Sequence, residues 1–262
     1  QMCIRDSMYT VQVDPHTHTI FSGHAFSTIG ENAAAAKKAG LLAIGMSEHY
    51  GPTFTKDPLG FGPMMNMPAL PRVIDGVTVL ASVEIDIVDF KGHLGFWDLE
   101  HPFFVPKEGG DFNSRLLDSR DYAIASVHHF KGMEENTVAK NTEMYCRVLE
   151  DPRVHIIGHP GRAPLRFDIE EVCKTAKAHG KMLEINDHSF DSKSNVTDEC
   201  RRIAECCAEL GVLVSVGSDA HSAWFVGQVG RAMGMLREIG FPPELIANRT
   251  LDGFLEHIKR AR

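Results

Sequence analysis

The residues able to do chemistry stand in a few short groups. Asp14-Pro15-His16-Thr17-His18 closes an apolar run. In an extended chain residues i and i+2 point to the same face, so His16 and His18 can reach one cation together. Asp219-Ala220-His221 repeats that spacing near the other end of the chain. Between them lie Glu48-His49, Glu84 within Ser82-Val83-Glu84-Ile85-Asp86, His128-His129, His159 and Glu184-Ile185-Asn186. Each group alone is ordinary, since a single histidine at a strand end is more often structural than a ligand. Gathered on one rim, they would desolvate and repel one another unless cations bound there, and neutral imidazole and carboxylate are natural ligands for cations.

The elements that must position these groups alternate along the chain. Apolar or β-branched runs at residues 11–14, 42–47, 77–84, 122–127, 154–158, 182–185 and 212–217 read as seven strands. Helical patterns separate several of them. Thr28-Ile29-Gly30-Glu31 is a capping box, and the helix it opens stops at Gly40. Asp168 caps a helix with Ile169, Val172, Cys173 and Ala176 on one face. Thr197 opens another, with Ile203, Cys206 and Leu210 inward, and Val226, Val229, Met233 and Leu236 mark a last one. Repeated β-α units imply a parallel sheet with helices outside it. The expected fold is therefore α/β, a distorted seven-stranded (βα)7 barrel, in which active sites sit at the carboxyl ends of the strands. The reactive groups fall at those ends. Residues 51–71 and much of 91–120 lack a convincing helix and read as long loops.

Bulk composition narrows the classes. The chain has 262 residues, 43% apolar and 24% charged, enough for a sizeable core in one domain over residues 8–262. Residues 1–7 read as a non-native extension. The net charge of −8, with no Lys/Arg run, argues against a stable nucleic-acid grip. No apolar run approaches the ~18 residues that span a membrane. The six cysteines form no C-x-x-C pair and read as reduced, small apolar residues, which fits a cytoplasmic protein.

Val13-Asp14-Pro15-His16-Thr17-His18, Ser22-Gly23-His24-Ala25, Ser47-Glu48-His49, Val83-Glu84, Ile157-Gly158-His159-Pro160-Gly161 and Gly217-Ser218-Asp219-Ala220-His221 resemble the PHP (polymerase and histidinol phosphatase) family. Asn66-Met67, residues 71–77, Leu183-Glu184-Ile185-Asn186 and Phe241-Pro242-Pro243-Glu244 resemble its YcdX-like phosphatases. The resemblance runs from Met8 onward. It implies three divalent metal ions, zinc first, with manganese or iron as alternatives. His16, His18, Glu84 and Asp219 would hold one ion. Glu84 would bridge to a second, shared with His128 and His159, and His24, His49 and His221 would hold the third. His24 enters through the resemblance alone. Three positions depart from the family pattern: Glu48 replaces the usual Asp, His129 follows His128 where an acid is usual, and the 91–120 region is longer.

The chemistry expected is hydrolysis of a small phosphomonoester by attack of a metal-bound hydroxide, with Glu84, Asp219 and Arg162 as the catalytic set. Arg162 would fork onto the phosphate, or else pair with Asp168 or Glu170. Asp14 would orient a ligand histidine or simply close its strand. Asn186 and Ser189 are further pocket candidates. The other readings are a histidinol-phosphate phosphatase, a nuclease or phosphodiesterase, and a non-catalytic metal-binding module. His93, His101, His155, His179, His188 and His257 read as surface or helix-flank residues, and Trp224 and Phe225 as packing at a helix start. A homo-oligomer is compatible with the sequence.

Overall fold

The computed structural model describes residues 9–55, 57, 59–100, 110–191 and 196–260. The extension at residues 1–7, His101 and the middle of the 91–120 loop lie outside the described residues. The fold is α/β, built on parallel sheets. The strands are β1 (Val13–Thr17), β2 (Ala43–Met46), β3 (His49–Tyr50), β4 (Val73–Ile74), β5 (Val77–Ala81), β6 (Glu84–Asp86), β7 (Ile124–Ser126), β8 (Ile156–Gly158), β9 (Met182–Glu184) and β10 (Val214–Ser215). One sheet has the order β1-β2-β5-β4 and the other β10-β9-β8-β7-β6-β3.

One expected strand ends early, its pairing taken up beyond it by β3, and another is cut in two. The 42–47 run breaks after Met46 and the 77–84 run after Ala81. At both breaks a serine turns inward: Ser47 Oγ donates to Pro15 O at 2.8 Å and reaches Ser82 Oγ at 3.2 Å. A hydroxyl that competes for a backbone carbonyl offers the chain an alternative to the ladder, so pairing passes from β2–β5 to β3–β6. β4 is an addition, an antiparallel hairpin strand turning at Asp75-Gly76, both at positive φ (53° and 87°). Asp-Gly suits such a turn because both positions tolerate the left-handed region. The end of β1 also meets the turn that follows β10: His18 N donates to Ala220 O and Asp219 N to His16 O, both at 2.9 Å.

Residues of β7, β8 and β9 alternate between two of the three cores. Ile124, Ile156 and Met182 join Val13, Leu80 and Tyr122 in an inner cluster, closed from below by Phe254 and Ile258 of the helix Leu251–Arg260. Ala125, Ile157 and Leu183 pack outward against helices Val138–Glu150, Ile169–Ala178 and Thr197–Leu210. Burial on both faces is why these strands read as unbroken apolar runs rather than alternating ones.

The helix signals are realised with one rotation and one shift. The Thr28/Glu31 capping box is present, and Asp168 accepts from Glu171 N at 3.1 Å. In Thr197–Leu210 the buried stripe is Cys200, Ile203, Ala204 and Cys207, so Cys206 and Leu210 lie at its margin. The last predicted helix begins only at Gly230, leaving Val226 and Val229 as buried loop anchors. The five described cysteines are free thiols. Among the described residues no helix is long and apolar enough to cross a membrane.

Candidate metal centre

The predicted ligand side chains converge in one place, from β1 and the loop after it, from the first residues of β3 and β6, and from the segments that follow β7, β8 and β10. β1 delivers His16 and His18, with ring centroids 5.1 Å apart. Glu84, the first residue of β6, lies fully buried among the imidazoles. Its Oε2 is 3.3 Å from His16 Nε2, 3.5 Å from His18 Nε2 and 2.9 Å from His49 Nδ1. Its Oε1 is 2.8 Å from His159 Nε2 and 3.4 Å from His128 Nε2. Asp219 Oδ1 stands 3.1 Å from His18 Nε2 and 3.6 Å from His16 Nε2. His24 Nε2 meets His221 Nε2 at 2.8 Å.

Three sets of ligand atoms, each within 4.8 Å of one another, emerge: His18/His49/His221, His16/His18/Asp219 and His49/Glu84/His128. His18 and His49 each belong to two sets, so the residues form one continuous nest. His24 and His159 adjoin it through His221 and Glu84.

The ring nitrogens are sorted. His16 Nδ1 is held by Glu184 Oε1 at 2.8 Å and His128 Nδ1 by Asp86 Oδ1 at 2.8 Å. His24 Nδ1 donates to Ser22 O and His221 Nδ1 to Asp219 O. His18 Nδ1 meets Ser22 Oγ, whose own proton goes to Glu48 Oε2 at 2.6 Å. In all five, Nδ1 faces a partner within the protein, which turns Nε2 into the nest. That is how ligand histidines are normally oriented.

Four buried atoms at the centre lack any hydrogen bond of acceptable geometry: His16 Nε2, both nitrogens of His49, and Glu84 Oε2. Unsatisfied polar atoms at such density are costly, and cations are the partners this donor set fits. Charge balance agrees. Burial would raise the pKa of Glu84, but His16, His49 and His128 hold it well below the usual carboxylate range. Asp219 is also held low against burial, by His16 and Arg162. Burial and the neighbouring His49 push His18 well below the ordinary imidazole value, keeping it neutral. His159 and Asp219 adopt positive φ (31° and 55°), a strained conformation for residues with side chains that tends to mark functional positions.

The departures from the expected pattern resolve physically. Glu48 does not enter the nest. Its carboxylate is consumed by Thr19 N, Thr19 Oγ1 and Ser22 Oγ, and through Ser22 it sets the His18 tautomer. His128 faces Glu84, whereas His129 is exposed. Among the described residues Asp14 touches no imidazole nitrogen. It accepts from Ser218 N, Ser218 Oγ and Gly227 N, and so pins the loop that carries Asp219. Arg162 pairs with neither Asp168 nor Glu170: its Nη2 donates to Asp219 Oδ2 at 2.6 Å and its Nη1 to Asn186 Oδ1 at 3.2 Å. Ser189 is buried and lines neither cleft beside the nest. Trp224 and Phe225 are 84% and 56% exposed, so they do not pack at a helix start as expected. His155 is buried, its Nδ1 accepting from Ala123 N, rather than on the surface. His188 lines the cleft.

Sequence reasoning named Glu184 and Asp86 among the strand-end groups but gave neither a role behind the ligands. Glu184 closes β9, where its Oε1 holds His16 and its Oε2 accepts from His159 N at 2.8 Å. Asp86 stands two residues after Glu84 on the same strand, and that i, i+2 spacing was the available signal. Glu184→Gln keeps an acceptor for His16 but removes the charge. Metal affinity is expected to fall roughly ten- to a hundredfold, as for other outer carboxylates on ligand histidines; a chelator competition titration measures it.

A cleft of about 490 Å3 opens over the nest, lined by His24, His49, Phe54, His128, Arg162 and Asp219 among others.

Comparison with known proteins agrees with this centre. A family model described as PHP-associated (PHP_C) matches residues 197–262. A "Probable phosphatase" of Acetivibrio thermocellus is 35% identical over 252 residues, covering 95% of this chain and 96% of that one. Another from Clostridium botulinum (strain Okra) is 38% identical over 247 residues, 94% of each chain. Among solved structures, histidinol phosphate phosphatase from Lactococcus lactis, complexed with zinc, L-histidinol and phosphate, superposes with a TM-score of 0.57 at 18% identity. It covers 89% of this chain and 95% of that one. The chain belongs to the PHP family and is a phosphatase.

Proposed function

We propose that His16, His18, His24, His49, Glu84, His128, His159, Asp219 and His221 hold three divalent cations, zinc foremost, and that the enzyme hydrolyses small phosphomonoesters over them. The observation that carries this reading is the sorting of ring nitrogens: five histidines have Nδ1 held by the protein, of which His16, His18 and His128 turn Nε2 toward buried carboxylates while His24 and His221 turn Nε2 toward each other. Cations bound in such a nest supply Lewis acidity, lowering a water pKa from 15.7 toward about 7 and neutralising phosphoryl oxygens. Glu84, central to the nest, would hold two of the cations, and Asp219 couples the nest to Arg162. The Arg162 guanidinium, on the cleft wall and anchored by Asn186 and Asp219, is the group placed to take a phosphoryl oxygen from outside the nest.

The size of the cleft supports a small substrate. A stable nucleic-acid ligand is disfavoured by the net charge of −8. The free thiols suit a reducing, cytoplasmic setting. We read the two sheets as one distorted seven-stranded barrel, β2/β3 and β5/β6 each being one interrupted strand, in a single domain over residues 8–262. Support comes from the β1 contacts with the Asp219–Ala220 turn.

The test is chelation. Stripped protein should lose turnover of 4-nitrophenyl phosphate and recover it with zinc or manganese, with close to three metal equivalents bound by elemental analysis. Undiminished turnover in metal-free protein would refute the reading. A panel that includes histidinol phosphate separates the narrower substrate assignments.

A further inference from the structure

A second cleft, of about 640 Å3, adjoins the metal nest and shares Asp219, His221, His188 and Asp191 with the first. It leads away from the phosphate end toward Arg231, past the exposed rings of Phe26 and Phe225. Arg231 opens the helix Gly230–Glu238 and is held from behind. Its Nε donates to Asp187 Oδ1 at 2.9 Å, while Asp187 Oδ2 accepts from Ala232 N at 2.8 Å. Asp187 is 3% exposed at its side chain and both its oxygens are used, so it offers nothing to a ligand. The Arg231 side chain is 52% exposed, and among the described residues Nε is its one engaged nitrogen. Its Nη1 and Nη2 are the donors left for the cleft. The other charged groups on that wall, His188 and Asp191, have partners already.

We propose that Arg231 is a specificity-determining residue, reading a second anionic group on the substrate's leaving alcohol. This inference rests on the phosphatase reading of the nest. With the phosphate at Asp219 and His221, the remainder of the molecule extends along the adjoining cleft. Its carbon chain lies against Phe26 and Phe225, and its far oxyanion meets the guanidinium. A guanidinium fixed at Nε presents its outer edge as a two-pronged donor, the geometry that carboxylate or phosphate oxygens match. The substrate class is therefore a phosphomonoester bearing a second acid group, either a carboxylate or a further phosphate.

Hydrolysis-inert probes test this separately from catalysis. Binding to metal-loaded protein is measured by calorimetry for alkylphosphonates of two to five carbons, for their ω-carboxy counterparts, and for the matching α,ω-bisphosphonates. The wild type is expected to bind the carboxylates or the bisphosphonates tighter than the plain chains at one favoured length, by roughly tenfold to a hundredfold. Whichever series gains identifies the second acid. Arg231→Ala should erase that advantage while binding plain alkylphosphonates and hydrolysing 4-nitrophenyl phosphate as before, and Arg231→Lys should restore part of it. Equal binding of plain and doubly acidic probes by the wild type overturns the proposal. So does an advantage that survives Arg231→Ala, or a loss that falls equally on both. Loss of 4-nitrophenyl phosphate turnover in the wild type would instead count against the phosphatase reading, and the phosphonate comparison would still decide the role of Arg231.

Discussion

Glu84→Gln is expected to lower kcat/KM for a simple phosphomonoester by roughly a thousandfold or more, the scale on which metal-borne charge stabilisation acts, and to lower bound metal in parallel. The substitution is nearly isosteric, so packing survives. What is lost is the single negative charge that His16, His18, His49, His128 and His159 all face within 3.5 Å. Without it, the proposed cation nest would lose its central anion, and the amide would offer one oxygen where the carboxylate offers two. Elemental analysis alongside steady-state kinetics checks the claim, and thermal melting of the stripped proteins separates folding from loading. A Glu84→Gln protein with full metal content and wild-type turnover would contradict the bridging role.

The largest effect on stability is expected from a methyl group. At Gly45 in β2, an added Cβ would lie 1.6 Å from Tyr122 Oη, 2.9 Å from Tyr122 Cζ and 2.5 Å from Pro15 O. Gly45→Ala must therefore displace a fully buried tyrosine and break its 2.5 Å hydrogen bond to Pro15 O. Overpacking of this kind costs about 3 kcal/mol, or roughly 10 °C in Tm for a chain of this size. Pro15 immediately precedes His16, so metal affinity should fall with it. Tyr122→Phe alone should be mild, because Ser47 Oγ still donates to Pro15 O. In the double variant the worst clash is gone, and part of the lost stability should return, a coupling that adjacent side chains produce. Purely additive melting temperatures across the four proteins would show that the crowding is relieved elsewhere.

Both expectations concern side chains that meet from distant parts of the chain, and they show unequal legibility. Glu84 is visible in the sequence because an acid interrupts an apolar strand run, and a buried charge needs a reason. Gly45 is not: a glycine within Ala43–Met46 reads as a weak strand residue until Tyr122, 77 positions later, is seen to fill its place. His24 shows the same limit. No period or strand end marks it, and it reaches His221 only because the turn Ile20–Ser22, capped by Thr19 and braced by Glu48, folds back over β1. The strand breaks after Met46 and Ala81 were equally hidden, since Ser47 and Ser82 take effect through each other and through Pro15.

Local periodicity and the types of residue at strand ends determined the α/β class, the sense of the sheets and seven of the nine candidate ligands, with an eighth narrowed to His128 or His129, because strand alternation, helix capping and the cost of burying an unpaired charge operate within a few residues. The tertiary structure alone decided which nitrogen each histidine turns inward, which of His128 and His129 faces Glu84, that Glu48 and Asp14 brace loops, and that Arg231 looks down the adjoining cleft. Those outcomes depend on hydrogen bonds between residues far apart in the chain, and nothing in a short stretch of sequence records which partner will be near.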